Sequence, residues 1–488
     1  MAHQFYSQLD TLIGQLKRSA IDAYMTWTLA RGGHFSLEGD SSSYVMHDYE
    51  GVNYYVTRPN SNGEGGGTLS SEKYIFRTMW EYKEDPADLF SDPDQFARAF
   101  DEVRATIDSI LEPWTDLPSL DGFDVQLDYC RELMSMLASS GSSNDGDLVP
   151  GGLITDDIAA VQGKINSMSG GAIGAFKQKF VDKLGSTVSN LHAVATILGA
   201  AMASEREVIS QTRTTVADNV AFARDMFDKV AVGQGLDEDT VVILKIAAAA
   251  AKAAAVFLTG GLAAAAELTD IGLETAAEVS QVNHKVQART YDEAMSAFEG
   301  LFTATNSNVL DGEQAIATSL TKNLNQMHSD SSYYDLTLPA ISSTDGIKMD
   351  TKEDENLEVN IGLIDEIINT NMPTMADNLQ DAAAKAFSII MSSVAIRDPN
   401  IGLGLAGPNH EFDDLSYTLR GLLSDLSAEV RLGRLNLERT VNLLLETDGA
   451  TSDSLNQVAN DVENRTFDPW DTSRSKLFPP RPGQNEAL

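Results

Sequence analysis

The stretch that decides the fold is Val216-Ala-Asp-Asn-Val-Ala-Phe-Ala-Arg-Asp-Met-Phe-Asp-Lys-Val230. Apolar side chains recur in it at alternating steps of four and three residues, at positions 216, 220, 223, 227 and 230. Such steps place side chains on one face of an α-helix, which has about 3.6 residues per turn. A seam this regular is typical of a helix packed lengthwise on a partner helix, and it predicts a helix over residues 173–232.

Similar periodicity extends outward in both directions along the chain. It predicts further helices over residues 4–30, 93–112, 120–140, 156–168, 274–328, 360–396 and 412–464. Residues 33–72 are instead rich in Gly, Ser, Asn and Tyr, and Tyr44-Val-Met and Tyr54-Tyr-Val within them indicate a short hairpin. We therefore expect a mainly α fold of long antiparallel helical hairpins or a bundle, with a small irregular or β-hairpin element near the N-terminus.

Shifts in composition divide the chain into four segments. Residues 1–92 would hold the N-terminal helix and the Gly/Ser-rich loop or small hairpin, and residues 93–345 a central bundle of long helices. Residues 346–466 would form a C-terminal helical hairpin, and the proline-containing residues 467–488 a disordered tail. Because exposed loops carry binding, the 33–72 segment is a candidate for specific recognition.

Charge and cysteine content exclude several classes of protein. The 488 residues contain 35 Lys and Arg against 72 Asp and Glu, a formal net charge of −37. Nucleic-acid binders neutralise phosphates with Lys and Arg, so we expect no nucleic-acid partner. The single cysteine, Cys130, excludes an intrachain disulfide framework and a multi-cysteine metal site. A mean hydropathy of −0.18 argues against a polytopic membrane protein.

A tight turn separates two of the predicted helices. In Ile165-Asn-Ser-Met-Ser-Gly-Gly-Ala-Ile-Gly-Ala-Phe-Lys-Gln-Lys-Phe180, a bulky Met168 stands two residues before Gly170, and Phe176 follows in the next helix. This arrangement resembles the Trp-x-Gly turn of the WXG family, the helical-hairpin proteins linked to ESX or type VII secretion, with Met168 where Trp is expected. A second glycine-rich turn, residues 400–407, lies between the last two helices, as in similar chains.

The resemblance implies a function in export and assembly. It implies a secreted or envelope-associated protein without a cleaved signal peptide, with the secretion machinery as a partner. The first ten residues contain no basic stretch followed by an apolar core, so the sequence predicts no signal peptide of the usual kind. The Tyr-x-x-x-Asp/Glu export signal of the family is missing around residues 437–453, so another chain would supply it. Cytoplasmic residence is the alternative.

No motif in the sequence indicates catalysis. The seven histidines show no His-Glu-x-x-His spacing, and there is no Gly-x-Ser-x-Gly or phosphate-binding loop. His192 and Cys130 lie in predicted helices, where a packing function is the simpler interpretation. We therefore expect no enzymatic activity, no catalytic residue, no metal and no cofactor.

The most apolar part of the chain, residues 241–273, allows two interpretations. One is membrane insertion of residues 246–266, in which Lys252, Phe257, Gly260 and Gly261 would take part. The other is a buried helix packed closely through alanine. Residues 253–266 are 14 in number, about 21 Å as a helix against a bilayer core of about 30 Å, which favours burial.

Three functions remain open. The preferred hypothesis is a type VII-associated secreted helical protein that acts in binding or assembly, with a protein partner or self-association. The second is an α-helical pore-forming or membrane-active protein that inserts residues 246–266. The third is a cytoplasmic or phage-related helical structural protein.

Overall fold

The computed structural model describes most of the chain. The described residues are 5–27, 35–37, 42–47, 52–73, 90, 92, 94–138, 143–144, 147–148, 152–168, 171–261, 282–330, 334, 336 and 360–446. Within them the protein is mainly helical, with a small antiparallel sheet near the N-terminus. This confirms the predicted fold class at that level. The predicted tail at 467–488 and the turn residue Gly170 lie outside the described residues.

The N-terminal part is one helix packed beside a four-stranded sheet. Helix α1 spans Leu9–Trp27, and the strands are β1 (Ser36–Leu37), β2 (Ser43–His47), β3 (Val52–Thr57) and β4 (Leu69–Lys73), each antiparallel to the next. The predicted hairpin is therefore part of a larger sheet, in which Tyr44 pairs with Val56 and Met46 with Tyr54.

A buried ion pair joins α1 to this sheet. Arg58 Nε donates to Asp22 Oδ1 at 2.8 Å, and the Tyr44 hydroxyl donates to the same oxygen at 2.6 Å. Asp22 is 3% exposed, and these donors replace the water that its carboxylate loses on burial.

The central part contains α2 (Gln95–Leu111), α3 (Leu120–Leu137), the short strands β5 (Ser143–Asn144) and β6 (Asp147–Leu148), α4 (Leu153–Asn166), α5 (Gly171–Phe176) and α6 (Asp182–Ala231). A π-helical turn, Lys177–Val181, joins α5 to α6 in place of the uninterrupted helix predicted over 173–232. This turn directs the Phe180 ring toward Gly433, where a Cβ atom would lie 2.8 Å from Cζ of the ring. With 50 residues, α6 is about 75 Å long.

A strand replaces the start of one predicted helix. Strand β7 (Leu236–Leu244) precedes α7 (Ile246–Gly261), and β8 (Val282–Ala288) pairs antiparallel with β7 before α8 (Tyr291–Ser329). The helix predicted over 274–328 was wrong at 282–288. There, buried Val286 and Ala288 alternate with exposed Lys285 and Gln287, which is the period of a strand. The Thr290 hydroxyl then accepts from Glu293 N at 3.1 Å and caps α8.

The C-terminal part consists of α9 (Ile361–Glu366), a π-helical turn (Ile367–Asn371), α10 (Met372–Ser388) and α11 (Asn409–Glu446). Pro373 lies in the first turn of α10, where a helix tolerates it. The Ser427 hydroxyl donates to Ala376 O at 2.7 Å and the Ser416 hydroxyl to Ala386 O at 3.3 Å. The earlier serine on α11, Ser416, bonds to the later residue on α10, Ala386, and the later serine, Ser427, bonds to the earlier residue, Ala376.

One hydrophobic core draws buried side chains from α1 to α11. Helix α6 lies at its centre, since it contacts α1, α3, α4, α7, α8 and α11. The seam predicted at 216, 220, 223, 227 and 230 is buried throughout. The boundaries expected near residues 92 and 345 stay predictions. Among the described residues, no helix combines the length and the apolar character needed to cross a bilayer.

Candidate functional site: charges buried beneath a glycine-rich loop

Residues 396–408, here called the glycine loop, connect α10 to α11. The loop folds back on itself, because Arg397 N–H donates to Leu405 O at 3.0 Å and Ile401 N–H to Asp398 O at 3.1 Å. Gly402 and Gly407 both have φ +57°, in the left-handed region that favours glycine. A Cβ atom at Gly402 would also collide with Glu313 Oε2. The loop therefore needs glycine here for conformation and for space.

Arg397 projects from this loop between two carboxylates. Its Nη1 donates to Glu205 Oε1 of α6 at 2.9 Å, and its Nη2 donates to Glu313 Oε1 of α8. The side chains of all three residues are fully buried, at 0% exposure. We call Glu205, Arg397 and Glu313 the charge cluster.

Further hydrogen bonds fasten the glycine loop to α8. Leu403 N–H donates to Glu313 Oε2 at 2.6 Å, and Gly402 N–H donates to Asn306 Oδ1 at 2.8 Å. The Asn306 amide in turn donates to Asn400 O at 3.0 Å. Two side chains about two helical turns apart on α8, Asn306 and Glu313, thus bind the backbone of the loop, and the charge cluster holds it through the Arg397 side chain.

The charge cluster is electrostatically unbalanced. Two carboxylates face one guanidinium, which leaves one negative charge in excess if all three groups are ionised. Burial raises the pKa of Glu205, and burial together with the charge of Glu205 raises that of Glu313 to about 8. Burial by itself would lower the pKa of Arg397, but the two carboxylates outweigh it and raise it. Both shifts favour retention of a proton by the glutamate pair.

Two atoms of the cluster have no hydrogen-bond partner among the described residues, Glu205 Oε2 and Arg397 Nε. A buried carboxylate oxygen without a donor is costly when charged. Both oxygens of Glu313 accept hydrogen bonds, whereas Oε2 of Glu205 accepts none among the described residues.

Several exposed side chains in the glycine loop are large and aliphatic. Ile396 is 58% exposed, Leu405 56% and Leu403 37%, although each carries a large aliphatic side chain. Leu310, 40% exposed, lies on α8 between the two residues that bind the loop. We call Leu310, Ile396, Leu403 and Leu405 the aliphatic patch. Large aliphatic side chains grouped at the surface are typical of interaction sites.

The residues predicted from the WXG-like turn lie elsewhere. Met168 lies just after the end of α4, with its N–H donating to Ile165 O at 3.1 Å, and its side chain is partly buried against the core. Phe176 stacks on Phe180, with ring centroids 5.2 Å apart. Both side chains support helix packing.

The residues proposed for membrane insertion belong to α7. Asn308 of α8 caps this helix, since its Oδ1 accepts from Ile246 N at 2.9 Å. Lys252 is exposed, and Phe257 is partly buried against Gly199 of α6. Gly260 and Gly261 form the C-terminal end of α7. A groove lined mainly by small side chains of α6, α7 and α8 lies where these helices pack together.

His192 and Cys130 are both buried on helices, whereas the sequence left a surface position open for His192. Burial lowers the pKa of His192 to about 4 and raises that of the Cys130 thiol to about 12. The imidazole is therefore neutral and the thiol protonated at physiological pH. Within the described parts of the chain, no group of three or more His, Cys, Asp or Glu side chains is placed to hold a metal.

The sequence analysis did not identify the charge cluster, although the position of Glu205 in the sequence was a signal for it. Glu205 falls on the seam of α6, three residues after buried Met202 and four before buried Ile209. A carboxylate at an apolar seam position indicates a buried charge that needs a partner. Its partner, Arg397, is 192 residues away, and local spacing carries no information at that distance.

No known protein family, curated protein or solved structure matches the chain.

Proposed function

We propose that this protein is a non-enzymatic helical protein that binds or assembles with other proteins, and that the aliphatic patch is its docking surface. The observation that carries the proposal is that the exposed apolar side chains belong to a loop whose backbone is held in place by buried hydrogen bonds and ion pairs. The loop that presents Ile396, Leu403 and Leu405 is anchored by buried charges and by three hydrogen bonds to Asn306 and Glu313. A preorganised apolar surface binds with a smaller loss of conformational entropy.

The helix packing supports a scaffold function. We interpret the long helices as antiparallel hairpins in a bundle. The reversed contact order of α10 and α11 supports this interpretation. So does the α6–α8 pair, where buried Asn219 donates to Thr305 at 2.9 Å while Glu205 and Glu313 meet at Arg397. Polar pairs inside such a seam fix the register of the two helices.

We further propose export by a type VII (ESX) route, with the protein secreted or associated with the cell envelope. The WXG-like turn supports this, since α4 ends just before Met168 and α5 begins at Gly171. Fractionation of the native host, with and without its secretion ATPase, tests the route. We expect the protein outside the cytoplasm only when the ATPase is present. Equal retention in the cytoplasm of both strains would instead identify a cytoplasmic structural protein.

A second experiment tests the docking surface. Ile396→Asp and Leu405→Asp place a charge on the patch without touching the charge cluster, and Leu153→Asp is the matched control at a 62% exposed leucine on α4. Light scattering after size exclusion measures self-association, and cross-linking in the host measures complexes with other proteins. We expect both patch variants to lose assemblies that Leu153→Asp retains. Assemblies that survive in all three variants would contradict the proposed surface.

One observation favours a second candidate, a membrane-active protein. In the sequence, the apolar helix α7 lies between the paired strands β7 and β8, which follow α6 and precede α8. It packs on α6 and α8 largely through small residues. Leakage of liposomes over a range of pH and lipid composition tests this function. Leakage by the wild type but not by Gly261→Asp would support it, and no leakage by either protein would remove it.

A further inference from the structure

We propose that the charge cluster is a proton-linked latch that holds the glycine loop closed. The latch would regulate the presentation of the aliphatic patch. That consequence rests on the proposed docking function, whereas the latch itself does not.

The number of buried charges is the first argument. Glu205, Arg397 and Glu313 are fully buried, and two negative groups oppose one positive group. The cluster is neutral only when the two glutamates share a proton. An unpaired charge in a dry interior is costly, so the closed loop binds that proton more tightly than an open loop would.

Among the residues that the structure describes, no other titratable group bonds to the cluster to supply the missing charge. The charges that act on Glu313 are those of Glu205 and Arg397. On the elements packed nearby, Lys252 of α7 and Asp311 of α8 are exposed. At the start of α11, His410 lies 3.9 Å from Asp414 at the surface, and Asn409 donates to Asp413 at 3.1 Å. The proton is therefore the available counter-charge.

The loop is the part that can yield when the proton leaves. Helices α6 and α8 are held together by the buried Asn219–Thr305 bond and by core packing. The glycine loop is held to them through the charge cluster and Asn306, and its three left-handed glycines, Gly402, Gly404 and Gly407, allow its backbone to rearrange. Opening would bring Arg397 and the carboxylates into water, where the excess charge costs little.

The direction of the pH effect follows from linkage. In the open loop a glutamate has its ordinary pKa, and in the closed loop burial raises the pKa of Glu313 to about 8. Between these values the closed state holds one more proton, so closure weakens as pH rises, by about tenfold per pH unit. Closure is strongest below the ordinary pKa and weakest above about pH 8.

Hydrogen exchange of the intact protein tests the latch. The reporting amides are those of Arg397, Gly402 and Leu403, which are hydrogen-bonded in the closed loop. Wild type, Glu313→Gln and Glu205→Gln are compared at each pH, so that the intrinsic pH dependence of exchange cancels. Each glutamine removes the excess negative charge. Glu299→Gln, at an exposed position on α8, is the matched control.

We expect the exchange of these amides, relative to the glutamine variants, to rise more than tenfold between about pH 6 and pH 8 in the wild type and in Glu299→Gln. Having both glutamine variants keeps the test valid if one of them fails to fold. A slope in either folded glutamine variant equal to that of the wild type would overturn the latch. Failure of the docking function would appear separately. In that case the patch variants would keep their assemblies, while hydrogen exchange in the glycine loop would still depend on pH.

Discussion

At the scale of single residues, Arg397 connects three parts of the fold. It links α6, α8 and the glycine loop through two carboxylates that are fully buried. Such a group adds little net stability compared with apolar packing, yet its removal is costly, because the carboxylates would remain buried without a counter-charge.

Replacing Arg397 with methionine tests this asymmetry. We expect Arg397→Met to lower the free energy of unfolding by about 3–5 kcal/mol near neutral pH. Urea unfolding followed by circular dichroism measures it. Arg431→Met is the control, because Arg431 and Asp377 pair at 2.7 Å with side chains 54% and 68% exposed. An exposed pair contributes under about 1 kcal/mol. Equal losses in the two variants would contradict the assignment.

Burial of His192 lowers the stability of the folded protein at acidic pH. Burial lowers its pKa to about 4 in the folded chain from the ordinary 6.5. Between these values the unfolded chain binds more protons, so stability is present above about pH 6.5 and is lost as pH falls toward 4. The full loss is about 3 kcal/mol.

A substitution that cannot titrate isolates this effect. We expect His192→Leu to lose less stability than the wild type when the pH falls from about 6.5 to about 4.5. Thermal melts at the two pH values give the comparison. His410→Leu, at a side chain 82% exposed, should behave as the wild type does. If His192→Leu and the wild type lose the same stability, the imidazole is not the group responsible.

At the scale of elements, periodicity predicted most helices but could not predict how they end. The seam at Val216–Val230 is local and strong, so the body of α6 was predictable. The π-helical turn at Lys177–Val181 carries Phe180, whose ring lies against Gly433, a residue distant in sequence. Strand β8 was missed because its partner β7 lies some forty residues away, and only pairing shows that Val286 and Ala288 alternate as in a strand.

The anchoring of α7 gives a prediction at this scale. Asn308 Oδ1 accepts from Ile246 N at 2.9 Å, and α7 gains a cap from a neighbouring helix. We expect Asn308→Ala to destabilise α7 by about 1 kcal/mol, the usual effect of losing a cap. Faster hydrogen exchange in residues 246–257 would report it. Ser307→Ala, on the adjacent surface of α8, should leave exchange in α7 unchanged. Unchanged exchange in Asn308→Ala would show that alanine packing alone holds the helix.

At the scale of the whole molecule, the single core behaves as one unit around α6. The mainly α class and the small N-terminal sheet were predictable, since both follow from local patterns. The charge cluster was not, because its members lie 192 and 84 residues apart and meet only after the helices pack. The glycine-rich character of residues 400–407 was visible in the sequence, but not the carboxylates beneath it.

Cys130 reports on the opening of this core. Its side chain is fully buried on α3, and burial raises the pKa of the thiol to about 12. We expect a thiol reagent at about pH 8 to leave the native protein unlabelled over minutes and to label one site per chain in concentrated guanidinium chloride, because reaction needs an exposed thiolate. Mass spectrometry measures both. Rapid labelling of the native protein would show that α3 separates from α6 far more often than a single core allows.

The distance along the chain between Glu205 and Arg397 also sets an order of events during synthesis. At about 5–20 residues per second, the ribosome adds the intervening 192 residues in about 10–40 seconds. Throughout that interval α6 exists without the guanidinium that pairs with Glu205 in the folded protein. The charge cluster is therefore completed only after Arg397 has been synthesised.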